Sequence, residues 1–239
     1  MNIIEKAIGF AVKAHAGALR KGTNFPYILH PVEAASIAAR LTNDVEIVAA
    51  AVLHDVVEDT EYTEKDIREQ FGDRVAELVM SCTENKRREM PAAETWMIRK
   101  KETIEHLKTA SREVKIVAFA DKLSNLRSVV TDYIAEGEEF WNRFEVREPR
   151  KHVWYYNTMR ESFEEFGNTL LYKEYLRLYR MLRMLVQEYE DFGRHDANAL
   201  EVIAAPNNGY WVLRTKKDDE IMLMTNEELE EFIREHGGE

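Results

Sequence analysis

The stretch VEIVAAAVLHDVVEDT, residues 45–60, combines an apolar segment with a compact group of ionisable residues. It contains the longest uninterrupted apolar run of the chain, Ile47–Leu53. This run is far shorter than the roughly 20 residues that cross a bilayer, so no transmembrane helix is predicted. The spacing of apolar residues instead predicts a buried helix in the core of an all-α protein.

Four ionisable residues, His54, Asp55, Glu58 and Asp59, follow this apolar run. In a continuous helix, His54 and Glu58 lie four residues apart, and so do Asp55 and Asp59. His54 and Asp55 would therefore form one tier, and Glu58 and Asp59 a second tier one turn, about 5.4 Å, further along. A carboxylate in an apolar helix costs free energy unless it is paired, hydrogen-bonded or bound to a cation. Adjacent imidazole and carboxylate groups suit a divalent first-row metal, so a metal site is predicted. The alternative is a helix that leaves the core, with Glu58 and Asp59 in water.

A second apolar helix is predicted in VKIVAFADKLSNLRSVV, residues 114–130, and it also contains a carboxylate. Asp121 follows an apolar run, and Asn125 and Ser128 lie four and seven residues further on. This spacing places the three side chains on one face of the helix. A metal bound by the first segment would supply the partner that Asp121 needs.

The segment PYILHP, residues 26–31, contributes another candidate ligand, His30. Because His30 precedes a proline, it is predicted to lie outside helical geometry, near the cap of the next helix. Such a position would hold a ligand rigidly. The alternative is a histidine that caps or packs.

Basic residues form two further candidate groups. Arg20 and Lys21 are predicted at the end of the first helix, where they either complement the helix C-terminus or bind a substrate phosphate. A guanidinium group there could also stack on a base. A second basic set could contact the remaining phosphates or form a solvated surface; it consists of Lys86, Arg87, Arg88, Arg99, Lys100 and Lys101.

Composition excludes several classes of protein. The 239 residues are 45% hydrophobic and 32% charged, as expected for a globular protein. The net charge of −11 argues against binding of nucleic acid or of anionic membranes. The single cysteine, Cys82, cannot form an internal disulfide, and no signal-peptide pattern is present near the N-terminus. A cytoplasmic protein is therefore predicted.

Local signals place the helices in more detail. Thr63 and Asp66 form a capping box for a short helix that Gly72 closes, and Asp73 is predicted to cap the next helix. Long amphipathic helices are predicted near residues 94–108, 113–134, 151–166 and 169–190.

The pattern changes near residue 200. Residues 210–215 and 220–225 are predicted to form a hairpin around the charged turn 216–219, and Thr225 with Glu228 is predicted to cap a final helix. Residues 201–239 contain 4 basic and 10 acidic residues, a local charge of −6. Two units are therefore predicted: a helical domain, 1–195, and a small α+β appendage, 196–239, with a structural or regulatory role.

Three motifs together resemble a known family. AHAGALRKGTNFPYILHP (14–31), LHDVVEDT (53–60) and ADKLSNLRS (120–128) are similar to motifs of HD-domain hydrolases of the RelA/SpoT homologue type, specifically the small alarmone hydrolases. The resemblance covers about residues 5–130 and extends to WNRF (141–144) and WYY (154–156). It implies an all-α HD-domain helical bundle.

The resemblance also implies roles for individual residues. The metal ligands, usually for manganese, correspond to His30, His54, Asp55 and Asp121. The catalytic acidic pair corresponds to Glu58 and Asp59, and the nucleotide contacts correspond to Arg20, Lys21, Asn125 and Ser128. The sequence departs from the family at Ser124, where these enzymes typically carry His or Tyr, and this difference bears on base preference rather than on the metal site.

The implied activity is that of a metal-dependent hydrolase that releases pyrophosphate from the ribose 3′ position of (p)ppGpp, the alarmone of the stringent response. No synthetase domain and no phosphate-binding GxxxxGK[ST] loop are expected. Three alternatives stay open: a phosphohydrolase of adenosine alarmones, other nucleotides or a phosphorylated dinucleotide cofactor; a non-catalytic alarmone-binding protein; and an interaction protein that works through its acidic tail.

Overall fold

The computed structural model describes residues 2–186, 200–204, 210–215, 221–225, 227–229, 231 and 234. The α-helices in these ranges are α1 Ile3–Ala14, α2 Leu29–Ala38, α3 Val45–Leu53, α4 Val56–Asp59, α5 Glu64–Phe71, α6 Asp73–Cys82, α7 Ala92–Thr109, α8 Arg112–Glu136, α9 Pro149–Ser162 and α10 Leu170–Val186. Two 3₁₀ helices, Gly137–Arg143 and Glu164–Phe166, follow α8 and α9. None of the described helices is long and apolar enough to cross a membrane.

Helix α3 lies at the centre of the bundle. Residues Ile47–Leu53 are all buried, as their uniformly apolar sequence predicts. The helix packs against α1, α2, α6 and α8, and α2 also packs along α8. The three segments that carry the candidate ligands are therefore neighbours, although up to 91 residues separate His30 from Asp121 along the chain.

The predicted helix through the ionisable group is interrupted. Helix α3 ends at Leu53 and α4 begins at Val56, so His54 and Asp55 form a turn between two helices. The imidazole Nδ1 of His54 donates to the carbonyl of Ala51 at 2.8 Å. A continuous helix would offer that carbonyl to the amide of Asp55, so a side-chain hydrogen bond replaces a backbone one and the prediction of a single helix is wrong.

Local capping signals are confirmed around α5. Thr63 and Asp66 form the predicted capping box, and Gly72 ends the helix with a φ of 89°, a conformation that favours glycine. The prediction for Asp73 is wrong: Gly72 is the N-cap of α6, and Asp73 is the first helical residue. Its carboxylate is still well placed, because a negative charge in the first turn complements the helix dipole.

The long helices agree with their predicted ranges to within a few residues. The predicted stretch 151–166 divides into α9 and the second 3₁₀ helix. Helix α10 is described to Val186, and the last residues of the predicted stretch 169–190 lie outside the described residues.

The C-terminal strands form an antiparallel sheet in the order β1–β2–β3: β1 Leu200–Ala204, β2 Tyr210–Thr215 and β3 Ile221–Thr225. The predicted hairpin strands are confirmed as β2 and β3, while β1 is an additional strand that the sequence analysis missed. The predicted turn 216–219 lies outside the described residues. Strand β3 packs on α10.

The predicted cap of the final helix is also confirmed. The amide of Thr225 donates to Glu228 Oε2 at 2.7 Å, and the amide of Glu228 donates to Thr225 Oγ1 at 3.2 Å. Residues 227–229 are helical. The sheet has a small apolar cluster separate from the main core, formed by Leu213, Met222 and Met224 with Met184, Trp211 and Leu229 packed against it.

Candidate metal centre

Four predicted ligands meet between α2, α8 and the turn that joins α3 to α4. Ligand atoms of His30, His54 and Asp121 all lie within 4.8 Å of one another. Asp55 Oδ2 is 3.1 Å from His54 Nε2 and 3.6 Å from His30 Nε2. The structure therefore brings together two imidazoles and two carboxylates that the sequence analysis placed in one site.

The two imidazoles are anchored by Nδ1 and present Nε2 to the centre. His54 Nδ1 donates to the Ala51 carbonyl, and His30 Nδ1 is 2.8 Å from Ser124 Oγ. His54 Nε2 lies 3.1 Å from Asp55 Oδ2 and 3.5 Å from Asp121 Oδ1, and it has no hydrogen-bond partner among the described residues. A buried nitrogen in this state is free to bind a cation.

The two carboxylates are held by donors from outside the ligand set. Asp55 Oδ2 accepts a short hydrogen bond from the Tyr27 hydroxyl. Asp121 Oδ1 accepts from Asn125 Nδ2 at 2.5 Å, and Asp121 Oδ2 pairs with Lys122 Nζ at 2.6 Å. These contacts orient the ligands in the way that outer partners orient metal ligands in proteins.

Electrostatics in the cluster favour charged carboxylates. Burial opposes ionisation of Asp55 and Asp121, but neighbouring groups outweigh it: His54 lowers the pKa of Asp55, and Lys122 with the histidines lowers the pKa of Asp121. Burial is likewise outweighed at His54, whose pKa is raised by Asp55 and Asp121. Two ionised carboxylates beside two imidazole nitrogens form a donor set that fits a divalent cation.

His30 does not occupy the predicted non-helical position. Helix α2 begins at Leu29, so His30 lies in its first turn and Pro31 is the third helical residue. A proline is tolerated there because the first amides of a helix have no intrahelical partner. The prediction of a capping position is wrong, although His30 is 3% exposed and points to the centre, as a ligand must.

The acidic pair Glu58 and Asp59 lies on α4, one turn beyond the ligands. Glu58 Oε2 accepts from the amide of Glu84 at 2.9 Å, and its Oε1 is 3.6 Å from Lys86 Nζ. Lys86 also forms a short ion pair with Asp59. Burial and the nearby charge of Asp55 raise the pKa of Glu58. A carboxyl group with a raised pKa, close to ligands, is suited to move protons.

Arg20 and Lys21 lie in a loop rather than at a helix end. Helix α1 ends at Ala14, so the prediction of a helix C-terminus is wrong. The guanidinium of Arg20 donates to Asn125 Oδ1 at 3.3 Å and to Ser128 Oγ at 3.2 Å. The structure thus brings three of the four predicted nucleotide-contact residues together beside the ligand Asp121.

Lys21, the fourth of these residues, faces an aromatic ring. Its Nζ lies 5.9 Å from the centre of the Phe144 ring, in the segment WNRF. The loop itself is closed by an isolated bridge between Leu19 and Pro26, and Gly22 there has a φ of 75°. These features give the loop that carries Arg20 and Lys21 a defined conformation.

Most of the second basic set is neutralised by neighbouring carboxylates. Arg99 and Lys100 pair with Glu84 at 2.7 and 2.8 Å, and Arg87 pairs with Glu102 at 2.5 Å. Lys86 pairs with Asp59, and Arg88 donates to the carbonyl of Glu58. These contacts favour a structural role for the set, with Lys86 and Arg88 closest to the candidate centre.

Several residues that orient the site were not singled out from the sequence. Tyr27 lies in the motif PYILHP and Lys122 in the motif ADKLSNLRS, each within three residues of a candidate ligand in the sequence. That closeness along the chain was the signal that could have identified them. Glu84 lies in no motif. His15 was also missed: it is buried against the Tyr27 ring, with ring centres 4.8 Å apart.

Comparison with known proteins places these residues in a wider context. A family profile described as "HD domain" matches residues 7–147. The Danio rerio guanosine-3′,5′-bis(diphosphate) 3′-pyrophosphohydrolase MESH1 is 37% identical over 132 residues, which cover 53% of this chain and 69% of that protein. The Haemophilus influenzae protein described as a guanosine-3′,5′-bis(diphosphate) 3′-pyrophosphohydrolase is 37% identical over 116 residues, which cover 48% of this chain and 17% of that protein.

Two solved structures are similar in fold. A protein described as a metazoan ortholog of SpoT that hydrolyzes ppGpp superposes with a TM-score of 0.63 and 24% identity, covering 77% of this chain and 97% of that one. A protein of Listeria monocytogenes EGD-e superposes with a TM-score of 0.55 and 38% identity, covering 66% of this chain and 96% of that one. The helical bundle is thus shared with known structures.

Proposed function

Because this chain belongs to the HD domain family, we propose that it is a metal-dependent hydrolase that releases pyrophosphate from the 3′ position of guanosine tetra- or pentaphosphate. The observation that carries the proposal is the meeting of two Nδ1-anchored imidazoles with the carboxylates of Asp55 and Asp121 in a buried centre. The named activities of the zebrafish and Haemophilus influenzae relatives support the choice of substrate.

In this proposal His30, His54, Asp55 and Asp121 bind one divalent ion, which we propose to be Mn²⁺. The unpartnered Nε2 of His54 supports the assignment, because a buried polar atom without a hydrogen bond otherwise costs free energy. A bound divalent ion supplies charge stabilisation to a phosphoryl group and lowers the pKa of water.

Glu58 and Asp59 are proposed to transfer protons during the reaction. The hydrolysis adds water to the 3′ phosphorus and breaks its bond to the ribose oxygen, so one proton leaves the water and one reaches the leaving oxygen. A carboxyl group with a raised pKa, such as Glu58, can accept the first and return it. Lys86 keeps the charge of Asp59 compensated in this role.

Substrate binding is proposed for the residues beside Asp121. Arg20, already directed at Asn125 and Ser128, can bind a phosphate through its guanidinium group while the amide and hydroxyl contact the ribose or base. Lys21, on the same loop, is proposed to neutralise a further phosphate.

The remaining proposals concern the setting of the enzyme. A cytoplasmic location and the absence of nucleic-acid partners are proposed from the single free Cys82 and the net charge of −11. We also propose that residues 196–239 form an appendage to a hydrolase domain that spans 1–195.

A substrate panel with purified protein tests the function directly. With Mn²⁺ present, ppGpp should yield GDP and pyrophosphate in equal amounts, and pretreatment with a chelator should remove the activity. Faster turnover of an adenosine alarmone, another nucleotide or a phosphorylated dinucleotide cofactor would contradict the proposed substrate. Tight binding of ppGpp without product would contradict catalysis.

A further inference from the structure

A hydrogen-bonded chain runs outward from His30 on the side away from the other ligands. His30 Nδ1 lies 2.8 Å from Ser124 Oγ, and Ser124 Oγ lies 2.8 Å from Glu33 Oε2. Ser124 is completely buried and His30 is 3% exposed, so water does not compete for the contact between them, while the Glu33 side chain at the outer end of the chain is partly exposed. The chain joins α2 to α8.

When the His30 ring is neutral, the donors and acceptors in this chain fit only one arrangement. An ionised carboxylate only accepts, so the single hydroxyl hydrogen of Ser124 is directed at Glu33. Towards His30, Ser124 Oγ can then only accept a hydrogen bond. His30 Nδ1 must therefore carry a hydrogen and donate it to Ser124 Oγ. Nε2 of His30 is left with its lone pair directed at Asp121 and Asp55, which is the tautomer that binds a cation.

Glu33 is itself held in a defined orientation. Arg127 Nη1 donates to Glu33 Oε1 at 2.8 Å, the oxygen that does not contact Ser124. Arg127 makes two further bonds, at 2.7 and 2.9 Å, to the carboxylate of Glu174 on α10. Since a guanidinium only donates, the atom of residue 33 that faces Arg127 must be an acceptor.

We infer that Glu33 is a positioning residue that acts through Ser124 to select the metal-binding tautomer of His30. The inference rests on the proposed metal centre and adds to it a residue that contacts neither ion nor substrate. Outer hydrogen-bond partners of metal-bound histidines typically contribute about 10–100-fold to metal affinity.

The substitution Glu33→Gln gives this inference a sharp test. Because Arg127 requires an acceptor, the amide oxygen would face Arg127 and the amide NH₂ would face Ser124. The Ser124 hydroxyl would then accept from residue 33 and donate to His30 Nδ1. The whole chain would reverse, and the hydrogen of the ring would move to Nε2, where it blocks cation binding.

The experiment measures Mn²⁺ affinity and the histidine tautomer in the full-length chain. Glu33→Gln and Ser124→Ala should each weaken Mn²⁺ binding by about 10-fold or more. In chelator-treated protein labelled with ¹⁵N-histidine, at alkaline pH, the His30 signals should show hydrogen on Nδ1 in the unsubstituted chain and on Nε2 in Glu33→Gln. The matched control is Glu113→Gln. Like Glu33, Glu113 pairs with an arginine, Arg74, but it makes no contact with Ser124 or His30 in the described structure.

The outcomes separate the inference from the proposed function. If the unsubstituted chain binds no Mn²⁺, the metal proposal fails, while the tautomer measurement still decides the role of Glu33. If Glu33→Gln lowers thermal stability but leaves both Mn²⁺ affinity and the tautomer as in Glu113→Gln, the carboxylate is only a structural ion-pair partner and the inference is overturned.

A second variant checks the role given to Arg127. In the Glu33→Gln background, Arg127→Met removes the donor that dictates the amide orientation, so the amide oxygen can turn to Ser124. Mn²⁺ affinity and the Nδ1-protonated tautomer should then return towards those of the unsubstituted chain. If the double variant keeps the Nε2-protonated tautomer, Arg127 does not orient residue 33 and that part of the inference is wrong.

Discussion

The ligand cluster and the acidic pair lie one helical turn apart, yet they are held in different ways. Each candidate ligand is anchored by a group on the packed helices or next to them: the Ala51 carbonyl, Ser124, Lys122 and, in the turn before α2, Tyr27. Glu58 and Asp59 are instead held by the segment between α6 and α7, through the amide of Glu84 and the ammonium of Lys86.

This difference has a consequence for function. Ligands must keep one geometry, and buried hydrogen bonds to packed helices provide it. A group that exchanges protons needs a pKa that its surroundings can adjust. The partly exposed Lys86 lies beside Glu58 and Asp59, and its positive charge can adjust the pKa of a neighbouring carboxyl group. Four substitutions test whether the two regions separate in this way.

The largest effect is expected for His54→Ala. Removing a ligand should lower turnover with Mn²⁺ by about 10³-fold or more, because a metal contributes several kcal/mol of transition-state stabilisation. Mn²⁺ binding should fall in parallel, and circular dichroism should show that the helices remain. His106→Ala, on the exposed face of α7, should keep both properties; retained turnover in His54→Ala would contradict the ligand assignment.

Glu58→Gln should lower the rate but leave the metal centre intact. A loss of about 10²–10⁴-fold in kcat is expected from removal of a proton-transfer group, with Mn²⁺ affinity unchanged because Glu58 is not a ligand. Steady-state kinetics together with a metal titration give both quantities. Equal losses in rate and in Mn²⁺ affinity would show that the two regions are not separate.

Glu84→Gln should destabilise the protein by about 3 kcal/mol at neutral pH, since it leaves Arg99 and Lys100 without their buried partner. Burial opposes ionisation of Glu84, but Lys100 and Lys122 lower its pKa to about 2. A lowered pKa means that its stabilisation is present above the unfolded-state pKa near 4.5 and is lost as pH falls towards 2.

Urea unfolding at several pH values measures this contribution. The free energy of unfolding of the unsubstituted chain should fall more steeply between pH 5 and pH 2 than that of Glu84→Gln. The control Glu64→Gln changes an exposed ion pair with Arg68 and should alter stability by about 0.5 kcal/mol or less. Parallel pH profiles for Glu84→Gln and the unsubstituted chain would contradict the assignment.

The smallest effect is expected for Lys86→Met. The positive charge of Lys86 lowers the pKa of Glu58 against the effects of burial and Asp55, so its removal should raise that pKa further. If Glu58 acts as a base, the acid limb of kcat/KM should move slightly to higher pH, because the contact with the partly exposed Lys86 is weak. Lys65→Met, which changes an exposed side chain of α5, should leave the limb in place. A shift to lower pH in Lys86→Met would have the wrong sign.

Sequence patterns alone predict the features that depend on neighbours in the chain. The Thr63–Asp66 capping box and the Thr225–Glu228 capping box are confirmed, because each needs partners only three residues apart. The candidate ligands were also found from sequence, since a carboxylate or imidazole in an apolar helix needs a partner wherever the helix packs.

Two predictions from local rules failed, one at the turn between α3 and α4 and one at His30. At that turn, the side chain of His54 donates to the Ala51 carbonyl, a contact that hydrophobic periodicity does not reveal. His30 was placed outside its helix because of the following proline, although packing of α2 against α3 and α8 keeps it in the first turn.

Residue types and their spacing along the chain were thus sufficient to predict most of the helices and to select the residues that meet in the candidate centre. The roles of these residues as metal ligands or proton-transfer groups stay predictions. Which donor faces which acceptor was decided only by packing of the helices. Ser124 lies 91 residues from Glu33, and Arg20 lies 108 residues from Ser128, yet both pairs are in hydrogen-bond contact. Hydrogen bonds act over about 3 Å, so these pairs exist only once α2, α8 and the loop after α1 have come together.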